Sequence, residues 1–197
     1  MRSSRADDAR PSTLATSLRP RAEEPRAASG VTVKGFYMRA LIKELASQGH
    51  HANPAVSYRD FGDYPVAAAH DLLLDCKQRM YPNERPSEGM RRLGWIIYPT
   101  LLSTMLGRVI FGSFGNDLLA VLRAAGRGFE VSISQVRYEP MELNERSAKV
   151  HVYDFPLFPD SFLVGVFEGA FAHYGYDEAV VSARMLSTQD VELSLSW

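Results

Sequence analysis

The chain is 197 residues long, 46% hydrophobic, 11% aromatic and 23% charged, with a formal net charge of −1. Those figures suit one globular domain with a substantial core, and they supply no global field for DNA, RNA or an anionic membrane. The one cysteine, Cys76, excludes an internal disulfide and suits a reducing, cytoplasmic compartment.

Residues 1–30 stand apart. They are rich in Arg, Ala, Ser and Pro and nearly lack large apolar side chains, so burial cannot offset the entropy of ordering them. They predict a disordered tail, or a docking arm for a partner, ahead of a single ligand-binding-like domain over 31–197. No continuous apolar core marks a secretory signal, and Asp7, Asp8, Glu23 and Glu24 are out of place in a transit peptide.

From Val31 the chain reads as a short strand, then a helix from Phe36 to Gln48. Phe36, Met38, Leu41, Ile42 and Leu45 give that helix an apolar face, and Gly49 suits its end. Residues 50–62 are polar and read as a connection. Asp63-Tyr64-Pro65 is expected to open a second helix to about Met80, with Val66, Ala69, Leu72, Leu73 and Cys76 on one side. Ser87 caps a third, from Glu88 to Tyr98, which Pro99 interrupts or kinks before apolar helix resumes to Ile110. The longest apolar run, residues 95–111, is broken by Pro99 and Gly107 and carries Arg108, so no membrane span is expected. After a break at 111–115, Asn116 or Asp117 caps a helix through Ala125, which Gly126 and Gly128 close.

At Phe129 the apolar period changes to two. Phe129, Val131 and Ile133 predict a strand that Val136 to Met141 continues, and Ala148, Val150 and Val152 predict another over 146–154. Residues 144–146 form the turn between them. A proline-rich bend at 155–159 leads to a helix from Ser161 to Tyr174, ended by Gly175, and then to strands over 179–186 and 191–197. Gly165 and Gly169, four apart, are expected to let that helix lie close against a sheet. The fold class is therefore α+β: an N-terminal helical bundle packed on a C-terminal antiparallel sheet of about four strands crossed by one helix.

Several of these features occur together in a known family. Val33-Lys34-Gly35-Phe36 leads into a helix, Tyr64-Pro65 precedes a second, Leu93-Gly94 sits in a third, and Gly165 with Glu168-Gly169 lies in a helix before a strand ending at Trp197. In order and spacing residues 31–197 resemble a paralogous family of uncharacterised proteins expanded in myxobacteria. More remotely the layout is similar to haem–nitric oxide/oxygen-binding domains, vinyl-reductase-type ligand-binding domains and transport-particle subunits. The resemblance implies a pocket or a signalling surface and a homodimer, not a reaction, because a fold does not fix a function.

Haem is the sharpest expectation of that resemblance, and the residues oppose it. The haem-binding relatives need a proximal histidine just before the sheet, and residues 114–137 contain none. Their Tyr-x-Ser-x-Arg propionate motif falls on Tyr153-Asp154-Phe155-Pro156-Leu157, which keeps only the tyrosine. No cofactor is expected. Metal is not expected either: His50-His51 beside Asp60 and Asp63 reads as a solvated loop. Cys76 lies on an apolar helix face and reads as a small core residue. No nucleophile elbow or phosphate-binding glycine loop is present. Gly112 to Gly115 reads as helix punctuation, Glu139 and Glu142 as a charged turn around Pro140, and Arg91-Arg92 as a solvated helix face. No catalytic residue is expected.

What remains is a non-enzymatic sensory or regulatory module. It would bind a small hydrophobic ligand, with Trp95, Tyr98, Met105 and Phe114 as the candidate pocket, or a protein partner. The alternative is a dimerisation or interaction module with a filled core. The aromatic and Met-rich stretch serves either.

Overall fold

The computed structural model describes residues 30–52, 57–105, 108–109 and 117–197. The expected tail and the break containing Phe114 lie outside these residues. The elements run β1 (Thr32–Lys34), α1 (Gly35–Ser47), β2 (Asp63–Pro65), α2 (Val66–Met80), α3 (Pro86–Leu102), α4 (Leu118–Ser132), β3 (Arg137–Leu143), β4 (Ser147–Tyr153), α5 (Phe162–His173), β5 (Val180–Met185) and β6 (Val191–Ser196). Helices thus dominate the front of the chain, and an antiparallel four-stranded sheet of order β3-β4-β6-β5 closes it. No described helix is long and apolar enough to cross a membrane.

Asp63-Tyr64-Pro65 does not open a helix. It forms β2, antiparallel to β1, with Thr32 opposite Pro65 and Lys34 opposite Asp63. Pro65 is extended (φ −54°, ψ 137°), so the helical turn begins one residue later, at Val66. Lys34 and Asp63 form an ion pair at 2.8 Å. The same connection caps α1: Gly35 N donates to Gly62 O at 2.9 Å and Phe36 N to Asp60 O at 3.0 Å, which satisfies amides the helix cannot.

The second difference lies at Phe129. The expected strand is the last turn of α4, which runs on through Gly126 and Gly128 to Ser132. Neither glycine has positive φ, so neither makes the left-handed turn by which glycine ends a helix. Asp117 is the N-cap, its carboxylate accepting from Ala120 N at 3.0 Å. The strand signal begins only at Arg137. Ile133 makes a single antiparallel bridge to Val33, and Ser134 N donates to Thr32 O, tying the end of α4 to the first strand.

The third concerns the paired glycines. Gly165 and Gly169 face α3, not the sheet. A Cβ at Gly165 would land on the Arg91 carbonyl and 2.9 Å from Trp95 N, and one at Gly169 would land on the Trp95 carbonyl. Gly94 answers from the other side, against the Phe162 carbonyl. Arg91 with Gly165, Trp95 with Gly169 and Tyr98 with Tyr174 show that α3 and α5 run the same way, backbone against backbone. Pro99 lies inside α3 without ending it. It removes the amide that would have bonded to Trp95 O, and that freed carbonyl is the one resting against Gly169.

The sheet follows its alternation. Ala148, Val150 and Val152 of β4 and Val191, Leu193 and Leu195 of β6 are buried on one face, packed with Phe162, Leu163, Phe167 and Phe171 of α5. Lys149, His151 and Tyr153 alternate with them. Glu139 and Glu142 lie on β3 and not in a turn. They flank a bulge at Pro140, where Glu139 accepts from the Tyr153 hydroxyl at 3.0 Å and Glu142 pairs with Lys149 at 3.1 Å.

Candidate functional site

Four helices meet around a cavity of about 80 Å³. Phe36 and Tyr37 come from α1, and Tyr98 and Leu101 from α3. Leu118, Val121, Leu122, Ala125 and Phe129 come from α4, and Leu163, Phe167 and Phe171 from α5. Helical spacing carries the α4 set to one side: 118, 121, 122, 125 and 129 recur at three and four. Phe129 is the central ring. It stacks on Tyr138 at 5.7 Å and on Phe167 at 6.4 Å, and stands edge-on to Phe155 at 6.0 Å.

Among the described residues the lining carries no His, Cys, Asp, Glu, Lys or Arg. Its side-chain polar groups are the hydroxyls of Tyr37, Tyr98 and Ser132. Ser132 Oγ donates to Gly128 O, and the hydroxyls of Tyr98 and Tyr174 share a hydrogen bond at 3.2 Å. Burial pushes the phenol of Tyr37 well above its ordinary range; burial, then the bond to Tyr174, does the same for Tyr98. Both stay protonated, so neither phenol serves the cavity as a base or a nucleophile. The cavity can take apolar surface and little else.

Haem does not fit these residues. Iron needs an axial imidazole, thiolate, thioether or phenolate, yet α4 offers the cavity aliphatic side chains, Phe129 and the Ser132 hydroxyl, and the phenols of Tyr37 and Tyr98 are held protonated by burial. Among the described residues that line it, no cation stands ready to meet a propionate. Tyr153, the remnant of the propionate motif, is elsewhere, with Arg137 over its ring at 4.6 Å. None of the histidines lines the cavity, and His173 stands edge-on behind Tyr98 at 6.1 Å. His70 stacks on Phe158 at 4.8 Å, and His151 stacks on Tyr153 at 3.6 Å. Among the described residues no group of three metal-ligating side chains gathers. Asp60 is paired with Arg39 and Asp63 with Lys34. Cys76 is buried on α2 and its thiol is pushed up to about 12, chiefly by desolvation.

A second hollow lies on the outer side of α3. It is an open crevice of about 670 Å³ lined by Tyr81, Glu84, Glu88, Arg91, Arg92, Trp95, Ile96 and Glu168. A smaller one of about 210 Å³ continues it past Trp95 and Glu168 to Tyr176 and Ala179. Its charges are neutralised in place: Arg91 grips Glu168, Arg92 grips Glu84 while lying 5.0 Å over the Tyr81 ring, and Arg85 holds Glu88.

The four candidate pocket residues therefore separate. Tyr98 lines the cavity. Trp95, 46% exposed, lines the outer crevice instead, and Met105, 77% exposed, lines neither; Phe114 lies outside the described residues. The physical reason is the face α3 buries: Met90, Leu93, Gly94, Ile97, Tyr98 and Leu101 turn inward, leaving Trp95 beside Arg91 and Arg92. Sequence reasoning missed Phe129 because the two glycines read as a helix stop, and missed Leu122 because it sought the pocket in the aromatic and Met-rich stretch before that helix. The unbroken spacing from Leu118 to Phe129 was the signal that would have found them.

The fold is that of H-NOX proteins. The chain superposes on an H-NOX protein from S. oneidensis in the Fe(II)NO ligation state with a TM-score of 0.60 at 13% identity, covering 83% of this chain and 98% of that one. It superposes on the Fe(II) unliganded H-NOX protein from K. algicida with a TM-score of 0.60 at 10% identity, covering 83% and 95%. The H-NOX domain from Shewanella oneidensis in the Fe(II)CO ligation state gives 0.56 at 15% identity, covering 83% and 97%. No curated protein matches the chain in sequence. Residues 26–197 match a family described as protein of unknown function, DUF2378, and the chain belongs to that family.

Proposed function

We propose that this chain is a non-enzymatic regulatory module that senses a small apolar ligand held between α1, α3, α4 and α5. The observation that carries the reading is the lining: an apolar hollow at the meeting of four helices, with no acid, base or thiol among the described residues that line it. The volume sets the ligand's scale. An engineered apolar cavity of about 150 Å³ stays dry and takes benzene or xenon. A hollow of about 80 Å³ suits a molecule of a few heavy atoms, and a larger one must part the walls. The likeness to H-NOX domains, solved with NO and CO on iron, supports a sensing role. Without iron, recognition here rests on shape and apolar contact alone.

The ligand touches α3 and α5 together, so occupancy would be read out through that tightly locked helix pair. The test is xenon titration followed by backbone and methyl NMR, with native mass spectrometry of freshly purified protein. Shifts confined to Leu122, Phe129, Leu163 and Phe167, abolished in Ala125→Leu, support the reading. A uniformly unresponsive cavity, with no copurifying small molecule, sinks it.

A second reading places function on the outer crevice, as a site for a protein partner. Trp95, Tyr81, Arg91 and Arg92 favour it, because Trp, Tyr and Arg dominate binding energies at interfaces. Trp95→Ala that abolishes regulation while leaving the cavity's xenon response intact would select this reading over the first.

A further inference from the structure

The two edges of the four-stranded sheet are built differently. At one edge, β3 carries Pro140 at its centre, where an outward amide is missing, and a bulge between Pro140 and Glu142. Proline, bulges and charge are the usual means of stopping a further strand from adding. The opposite edge has neither proline nor bulge, and its one charge, Arg184, is paired with Glu192 of β6 at 3.0 Å. β5 pairs only with β6 among the described residues, and it reads Val-Val-Ser-Ala-Arg-Met.

Its main chain has a definite polarity. Leu186 N donates to Asp190 O at 2.8 Å, and Arg184 opposes Glu192 and Ser182 opposes Ser194 in the same register. In an antiparallel ladder alternate residues turn their amide and carbonyl to the same neighbour. Residues 182, 184 and 186 therefore spend theirs on β6, and Val181, Ala183 and Met185 hold theirs out at the open edge. The apolar side chains along this edge are bare as well: Val180 is 60% exposed, Leu186 43% and Met185 39%.

We propose that this edge pairs with the same edge of a second copy of the chain, antiparallel about Ala183. A two-fold axis normal to the sheet keeps its faces matched only if paired residue numbers sum to an even value. With Ala183 on the axis, Ala183 meets Ala183, Val181 meets Met185 and Val180 meets Leu186 of the other copy. The residues with outward main-chain groups then fall in the hydrogen-bonded pairs, and the exposed side chains of Val180 and Leu186 fall opposite one another. One register satisfies both conditions. An alternative centred on Ser182 instead sets Val180 against Arg184.

A six-residue strand pair alone buries less than the roughly 1,200–2,000 Å² of a standard stable interface. The 187–190 turn of the second copy would add to it, because Val180 opposite Leu186 brings that turn beside Ala179, Tyr176 and the Trp95 hollow. The dimer is therefore of the concentration-dependent kind.

The test is sedimentation equilibrium of the full chain from micromolar to millimolar concentration. The expected mass rises from 22.0 kDa to twice that value. Ala183→Pro removes one outward amide and no bond to β6, and is expected to stay at monomer mass with an unchanged circular dichroism spectrum. Two double variants read the register itself. V180E/L186E sets like charges opposite each other twice and is expected to be monomeric. V180E/L186K sets opposite charges there and is expected to dimerise. A wild type that stays monomeric to millimolar concentration overturns the proposal. So does a dimer that survives both Ala183→Pro and V180E/L186E.

Discussion

The substitution Gly165→Ala tests the locked α3–α5 crossing directly. A Cβ there has no lateral escape: it meets the Arg91 carbonyl and comes within 2.9 Å of Trp95 N, and both are backbone. No rotamer change can relieve contact with main chain, so the helices must separate, and Gly94 and Gly169 hold them at the same spacing. Overpacking typically costs about 1–3 kcal/mol, and rigid backbone puts this case at the upper end. Helix propensity returns about 1 kcal/mol when alanine replaces glycine. The net loss is about 2 kcal/mol, a large share of a typical 5–15 kcal/mol stability. For a chain of this length that lowers Tm by about 4–8 °C. Gly126→Ala is the internal control. It is also helical, yet its Cβ meets nothing nearer than Tyr138 at 3.5 Å, so it should gain about 0.5–1 kcal/mol. The assay is paired urea and thermal unfolding of both variants. A Gly165→Ala protein as stable as Gly126→Ala would refute the backbone-on-backbone crossing.

Two further outcomes follow from buried titratable groups. Burial raises the phenols of Tyr37, Tyr98 and Tyr138 above their ordinary 10.0 and the thiol of Cys76 from 9.0 to about 12. The unfolded chain then releases these protons at lower pH than the folded one. Their contribution to stability is whole below about pH 9 and declines as pH rises. Tm is expected to fall from that point, with phenolate absorbance from the three buried tyrosines appearing only as the fold is lost. Free ionisation of all nine tyrosines in a folded protein contradicts this. Cys76, buried and protonated, should resist aromatic disulfide reagents at pH 8 and react on unfolding in urea. Rapid labelling of native protein would show that the face of α2 bearing Cys76 is not packed into the core.

Local chemistry determined much of this protein before any coordinates. Alternation at two places β4 and β6, because a strand with one buried face must alternate. Spacing at three and four places α1 and α2 for the matching reason. The absence of histidine from residues 114–137 already spoke against haem. Other features needed the tertiary structure, because they depend on what lies opposite. A glycine pair says that something comes close; only the packing makes it α3 and not the sheet. Gly126 and Gly128 end a helix if their φ turns positive and continue it otherwise, and that choice falls to the contacts of Phe129 with Phe155, Phe167 and Tyr138. Trp95 and Tyr98 are three residues apart and equally aromatic, yet one lines the interior and the other the surface. A helix face becomes inner or outer only when a second helix chooses it.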